Sequence, residues 1–493
     1  MPDDATALLA CSVRGAMIAP AGCGKTWTIA RAVTDHGRGR DLVLTHTHAG
    51  VDAIRRRLLE FRCPLASIHV DTIAGWCLRL AAAFPVTSRV PTSTPRTNAE
   101  YSEIYASAAK LLHMRPYREI FQASYTSVYV DEYQDCTKEQ HEFIVSIADA
   151  VPCRVVGDPL QSIFAFRDQP VVDWTTDVRS QFTDVPGPSE PQRWRNTNPD
   201  LGAWLRHIRP QLEQGLPIDL AGSPVQWIRV DDSRFLQPTQ VNACFDVAKN
   251  SDSRVVAIHN TPQQASTLAS RLRGQYSCVE VVDLEDLYLA AERIDQARGA
   301  QRALAVLDFA KLCLTAVEPA MRKHRESIAN GQPTRSKKLR AQREALDAVA
   351  AGASPESIAN ALTSLQAIPN AVLYRRELLD EMRRACCALA EGEAASLAEA
   401  AWIVRNRTRQ RGRRFARCAM GTTLRVKGLE FDRAVVLDPS KYDAQNLYVA
   451  LTRGARSVSV VSTSSTITPL LRKQTSATQS RRLASSTTST EGT

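Results

Sequence analysis

No stretch of the 493-residue chain is apolar over the length that a membrane span needs, and its first residues lack the charged-then-apolar order of a signal peptide. These absences point to a cytoplasmic protein without a membrane partner. The twelve cysteines are scattered, with no C-x-x-C pair and no histidine cluster at zinc spacing. A disulfide scaffold and a structural zinc site are thereby set aside, and the thiols read as a buried, reduced set. No repeat of solenoid period occurs. The stretch 475–493 is Ser/Thr-rich and almost free of apolar residues, so disorder is expected there.

What is present is ordinary in kind, with 44% hydrophobic and 23% charged residues. The length exceeds what one core fills and suggests two to four domains. A net charge of +10 and a pI near 9.1 favour a polyanionic partner, although a solvated basic surface gives the same balance.

Short β-branched runs alternate with helical patterns, which predicts an α/β fold with mostly parallel sheets. Strands are expected at 16–18, 41–45, 68–71, 127–131 and 153–157, with Pro-rich 185–188 as a boundary. A second set is expected at 224–228, 254–258, 279–282, 421–424, 434–437 and 458–461. Between them, 284–404 is rich in Ala, Leu, Arg and Glu and reads as helices.

The chemistry centres on Ala19-Pro20-Ala21-Gly22-Cys23-Gly24-Lys25-Thr26, placed between a strand and a helix. Glycines let backbone N–H groups turn towards phosphate oxygens at a helix N-terminus. Lys25 then suits the β/γ-phosphates and Thr26 a Mg²⁺ ion. An apolar strand ends in Asp131-Glu132, where Asp131 suits the metal through water and Glu132 the attacking water. A third strand ends in Gly157-Asp158, with Gln161 beyond it as a γ-phosphate sensor and Phe164 and Phe166 as base platforms or core residues.

Together these segments resemble the UvrD/Rep-type superfamily 1 helicases. The likeness continues through Leu42–Ala49, Val70–Trp76, Asp131–Asp135, Gly157–Arg167, Gln192–Asn196, Lys427–Phe431 and Leu447–Arg453. The resemblance implies two RecA-like P-loop NTPase domains, each interrupted by a helical insertion, closing on ATP and Mg²⁺. The first would be 1–80 with 120–184 around a small insertion at 81–119; the second, 188–283 with 418–474 around a helical insertion at 284–417. Arg195 and Arg453 would serve as arginine fingers, and Trp194 and Glu430 would help bind the nucleotide. Thr45, His46 and Thr72 would contact DNA.

The implied activity is ATP-dependent 3′–5′ unwinding or translocation on single-stranded or tailed duplex DNA, in repair, recombination or phage defence. Compact relatives of this layout work beside an OLD-family nuclease in Gabija-type systems, which makes a nuclease subunit a candidate partner. The alternative is a nucleotide-gated DNA-end sensor that regulates such a nuclease with little unwinding. The chain departs from the family pattern in having no Gln before the loop, Trp27 beside it, Trp194 for the usual Tyr, and Leu424 for the usual His. ATP and GTP therefore both stay open as substrates. Alternate arginines from Arg405 through Arg411 to Arg417 suit an extended strand or loop that tracks a nucleic-acid backbone; a solvated face is the plain alternative.

Overall fold

The computed structural model describes residues 2–90, 95, 97–164, 170–249, 252–280, 284–331, 338–352, 354–411 and 416–471, with the backbone alone at 2–4, 65 and 409–411. Phe166, the Arg411 side chain and the stretch 475–493 therefore lie outside the described residues.

Runs such as Leu42-Val43-Leu44 and Val128-Tyr129-Val130 carry apolar side chains on both faces, which suits a sheet covered on both sides. Six strands form the first such sheet: β1 (Arg14–Ile18), β2 (Asp41–Thr45), β3 (Ile68–Thr72), β4 (Ser127–Val130), β5 (Cys153–Gly157) and β6 (Thr183–Val185). Their order is β3-β2-β4-β5-β1-β6, and neighbouring strands pair in parallel. On one face, Ile29, Val33, Val51, Ile54 and Leu58 from helices Lys25–His36 and His48–Glu60 pack against Met17, Val43, Tyr129 and Val156. On the other, Trp76, Ile104, Tyr105, Phe143 and Ile144 cover Leu42, Val128, Val130 and Val155. Parallel pairing brings the carboxyl ends of β1, β5 and β4 to one edge of the sheet, where α/β proteins open their ligand crevices.

The second sheet repeats the plan. Its strands follow β7 (Ile218–Asp219), which pairs antiparallel with β14 (Thr466–Ile467) outside it. They are β8 (Gln226–Arg229), β9 (Val255–Ile258), β10 (Ser277–Cys278), β11 (Cys418–Gly421), β12 (Phe431–Leu437) and β13 (Gly454–Ser462), in the order β10-β11-β9-β12-β13-β8. All neighbouring pairs are again parallel. The α/β class with two mostly parallel sheets thus stands as the alternation predicts. Between β10 and β11 the described residues form seven helices, from Glu285–Gln296 to Leu397–Arg411, around a separate core that includes Leu287, Phe309, Leu362, Met382 and Ala401.

Three local expectations need correction. Strand β11 ends at Gly421, and Thr423–Val426 is a helical turn that drives Val426 into the second core. Strand β10 occupies Ser277–Cys278 rather than 279–282, of which 281–282 lie outside the described residues. The alternate arginines begin inside the helix Leu397–Arg411, not on an extended strand. On a helix, residues two apart point to opposite sides, so Arg405 and Arg407 do not share one face.

Candidate nucleotide site between the two sheets

The loop after β1 is shaped by two glycines in the left-handed region, Gly22 at φ 73° and Gly24 at φ 94°. Gly24 leads directly into the helix Lys25–His36, whose first-turn N–H groups have no helical acceptor. Ala19 ties the loop to the end of β5 through its N–H on the Gly157 carbonyl (3.0 Å), and Cys23 N–H closes the turn on Pro20 O (3.1 Å). Ala21 packs inward beside Trp194. Burial pushes the Cys23 thiol up to about 11, which leaves it unreactive. Lys25 is buried and donates its ammonium to Ala19 O at 3.2 Å, so its charge is held at the loop.

The end of β4 meets the start of that helix. Thr26 Oγ1 donates to Asp131 Oδ2 at 3.1 Å, and Asp131 Oδ1 accepts the Glu132 N–H at 2.9 Å. Glu132 sits at φ 56°, a backbone turn that a glutamate rarely adopts and that is typical of strained functional positions. Its carboxylate accepts from Gln134 Nε2. Burial and the neighbouring Glu132 charge raise Asp131. Burial opposes ionisation of Glu132 too, but Lys25, Lys427 and the Gln134 bond outweigh it and hold Glu132 low.

The second half of the site comes from the other sheet. Lys427, after the Thr423–Val426 turn, pairs with buried Asp135, donates to Gln161 O and stands 4.9 Å above the Phe164 ring. Burial, partly opposed by Lys427, raises Asp135 to about 6. His46 lies beside this pair with Nε2 3.4 Å from Cys136 Sγ; burial and then Lys427 lower it to about 4, so it is neutral. Arg453 is 2% exposed, held by Val449 O (2.9 Å) and Leu429 O (3.2 Å), and reaches Gln161 Oε1 at 3.5 Å. Burial and then the Arg193 charge bring its pKa down to about 9. Arg193 donates to Thr452 O at 2.8 Å and to Glu430, and its backbone N–H reaches Gly22 O at 3.1 Å.

Lys25, Thr26, Asp131, Glu132, Gln161 and Arg453 are therefore brought together, with the loop residues Ala19 to Gly24 around them. Glu430 touches this group through Arg193, while Arg195 is exposed and is not among the groups these contacts join. Trp194 does not offer a stacking face: it is 1% exposed, donates Nε1 to Gly454 O at 2.8 Å, and belongs to the core of the second sheet. Two of the DNA expectations fail for the same reason. Thr45 is buried at the end of β2 beneath Gly50, and Thr72 is buried with its hydroxyl capping the helix Ile73–Ala83 through Gly75 N–H. Arg405 is a third correction: it is fully buried in the helical insertion, where its guanidinium holds Glu377 and Glu381. His46 and Phe164 remain half-buried at the cleft.

Reading the sequence missed Lys427 as a cleft residue, Arg193 in place of its neighbour Arg195, and the buried pair of Asp158 with Arg209. For Arg209 a signal existed: it lies on the apolar stripe of Leu201, Leu205, Ile208 and Leu212, where an unpaired charge is costly.

The donor set fits a magnesium ion and phosphates. A hydroxyl and a carboxylate oxygen meet at Thr26 and Asp131, and Mg²⁺ takes few protein ligands, leaving the rest to phosphate and water. No group of three or more His, Cys, Asp or Glu that could hold a metal occurs among the described residues. No helix among them is long and apolar enough to cross a membrane.

Residues 90–172 match the family model of the UvrD/REP helicase N-terminal domain. That stretch carries β4 with Asp131–Asp135 and β5 with Gly157–Gln161, both of which line the cleft. Over that stretch the chain is similar to the helicase N-terminal domain, in line with the resemblance that its motifs carry. No curated protein matches the chain. Among solved structures, "Complex structure of Arterivirus nonstructural protein 10 (helicase) with DNA" is similar at 10% identity and a TM-score of 0.34, over 93% of this chain. The chain spans 63% of the length of that helicase.

Proposed function

We propose that the protein is an ATP-dependent 3′–5′ DNA helicase or single-stranded DNA translocase of the UvrD type. The observation that carries this reading is the cleft itself, where Thr26, Asp131 and Glu132 of one sheet meet the charge of Arg453 from the other, which also reaches Gln161. Lys25 and the helix N-terminus bind the β/γ-phosphates, and Thr26 with Asp131 would hold Mg²⁺. When bound, Mg²⁺ neutralises phosphate charge. Glu132, kept ionised by Lys25 and Lys427, orients the attacking water. Arg453 supplies positive charge from the opposite side, and exposed Arg195 as a second finger rests on the resemblance alone.

Because Lys427 joins Asp135, Gln161 and the Phe164 ring, it links the hydrolytic residues to the half-buried His46 and Phe164, which we place on the DNA path. We take 1–80 with 120–184 and 188–283 with 418–474 as the two motor units. Polarity, a place in repair or phage defence and a nuclease subunit as partner rest on the resemblance alone.

The test is turnover of ATP and GTP with and without single-stranded DNA, beside unwinding of 3′-tailed and 5′-tailed duplexes. Glu132→Gln and Lys25→Ala are expected to lower hydrolysis by about a hundredfold or more. DNA-stimulated hydrolysis without strand separation would move the reading to the nucleotide-gated DNA-end sensor. Equal unwinding of 5′-tailed duplex would remove the polarity.

A further inference from the structure

Asp158 and Arg209 form a buried ion pair between the two halves. Asp158 is 0% exposed at the end of β5, and Arg209 is 9% exposed on the helix Pro199–Glu213, which packs in the core of the second sheet. The guanidinium is bidentate, with Nη2 on Asp158 Oδ1 at 2.6 Å and Nη1 on Oδ2 at 3.1 Å. Arg209 also donates to Tyr448 Oη at 3.2 Å, lies 5.3 Å from the Tyr448 ring centroid, and meets Glu213 at 2.9 Å. Every partner except Asp158 belongs to the second half.

The same Asp158 carboxylate receives Gln161 Nε2 at 2.7 Å, and its backbone N–H is held by Gln134 Oε1 at 2.8 Å. Gln134 in turn donates to Glu132. Gln161 is thus clamped at both ends, its nitrogen by Asp158 and its oxygen facing Arg453. An amide beside a phosphate must present the correct end, and the carboxylate decides which end faces away. Asp158 can do this only while it is ionised, and a bare carboxylate near bound phosphates would be both desolvated and repelled. The fork of Arg209 supplies the missing charge and fixes the plane of the carboxylate.

We propose that Arg209 is a positioning residue for hydrolysis. Through Asp158 it sets the Gln161 amide, and because it rides on the second half, the amide is set only when the two halves are closed. This rests on the nucleotide site proposed above. Lysine at 209 would keep a charge but lose the fork, so it is expected to fail as well.

The full-length chain tests the idea with Arg209→Met, Arg209→Lys, Asp158→Asn and the Asp158→Asn/Arg209→Met double variant. Each is measured for DNA-stimulated kcat, KM for ATP and thermal midpoint. Arg209→Met and Arg209→Lys are expected to lower kcat about tenfold or more with KM changed less than about threefold. The double variant, which leaves no orphaned charge, is expected to regain the thermal midpoint but not kcat. If kcat returns together with the midpoint, or Arg209→Met keeps wild-type kcat, Arg209 is structural only and the inference fails. If the wild type itself shows no turnover sensitive to Glu132→Gln, the proposed function fails and takes the inference with it.

Discussion

At Gly22 a side chain has nowhere to go. A Cβ there would lie 2.5 Å from Trp194 Cζ3 and 3.0 Å from Arg193 Cβ, on a backbone already at φ 73°. Gly22→Ala is expected to destabilise the protein by about 1–3 kcal/mol, read as a lower thermal midpoint, and to weaken ATP binding. In a double-mutant cycle with Trp194→Leu, the steric part of the loss should appear as a coupling energy and the backbone part should not. Charge is set as locally as shape. Burial raises Asp135 to about 6, so the folded state holds its proton more tightly than the unfolded chain does. Stability from this group is present at about pH 4 and is lost as pH rises through about 6. Asp135→Asn should flatten the decline in urea midpoint between about pH 4.5 and pH 6.5 by about 2 kcal/mol. Lys25, Asp131 and Glu132 were legible because a phosphate loop and an acidic strand end need those side chains there, and Arg453 was legible only through the family resemblance. Trp194, Thr45 and Thr72 were not, because a motif position does not say whether its side chain faces the cleft or the core.

Among the elements, the helix Leu397–Arg411 shows how a charge pattern misleads. The alternating arginines look like a row for a phosphate backbone, yet helical geometry turns Arg405 inward and leaves Arg407 outside, paired with Glu393 at 2.7 Å. Inside, Arg405 faces Glu381, itself 1% exposed, at 3.0 Å and Glu377 at 2.8 Å. Removing the arginine leaves a buried carboxylate without its counter-charge. Arg405→Ala is expected to destabilise the helical insertion by about 3–5 kcal/mol, seen as early protease cleavage within 285–411. DNA affinity measured on the remaining folded fraction should not change. The helix Pro199–Glu213 is the opposite case: its apolar stripe packs into the second core, and only its neighbours show that Arg209 on that stripe answers Asp158.

For the whole molecule, the proposed function joins the +10 charge to the cleft between the two sheets, where a polyanion would bind. Binding of single-stranded DNA should weaken by at least about tenfold between 50 and 200 mM salt, with a slope that Lys427→Ala reduces. A salt-insensitive affinity would disconnect the charge from DNA. The sequence by itself determined the parallel α/β plan, the phosphate loop and the acidic strand ends, because these depend on local periodicity and on residue types within a few positions of one another. Which side chains face each other across the cleft was decided only by the tertiary structure. Asp158 and Arg209 lie 51 residues apart, and Gln161 and Arg453 lie 292 apart. No local rule carries such a pairing: it arises when two separately folded sheets bury their edges against each other and every enclosed charge must find its partner.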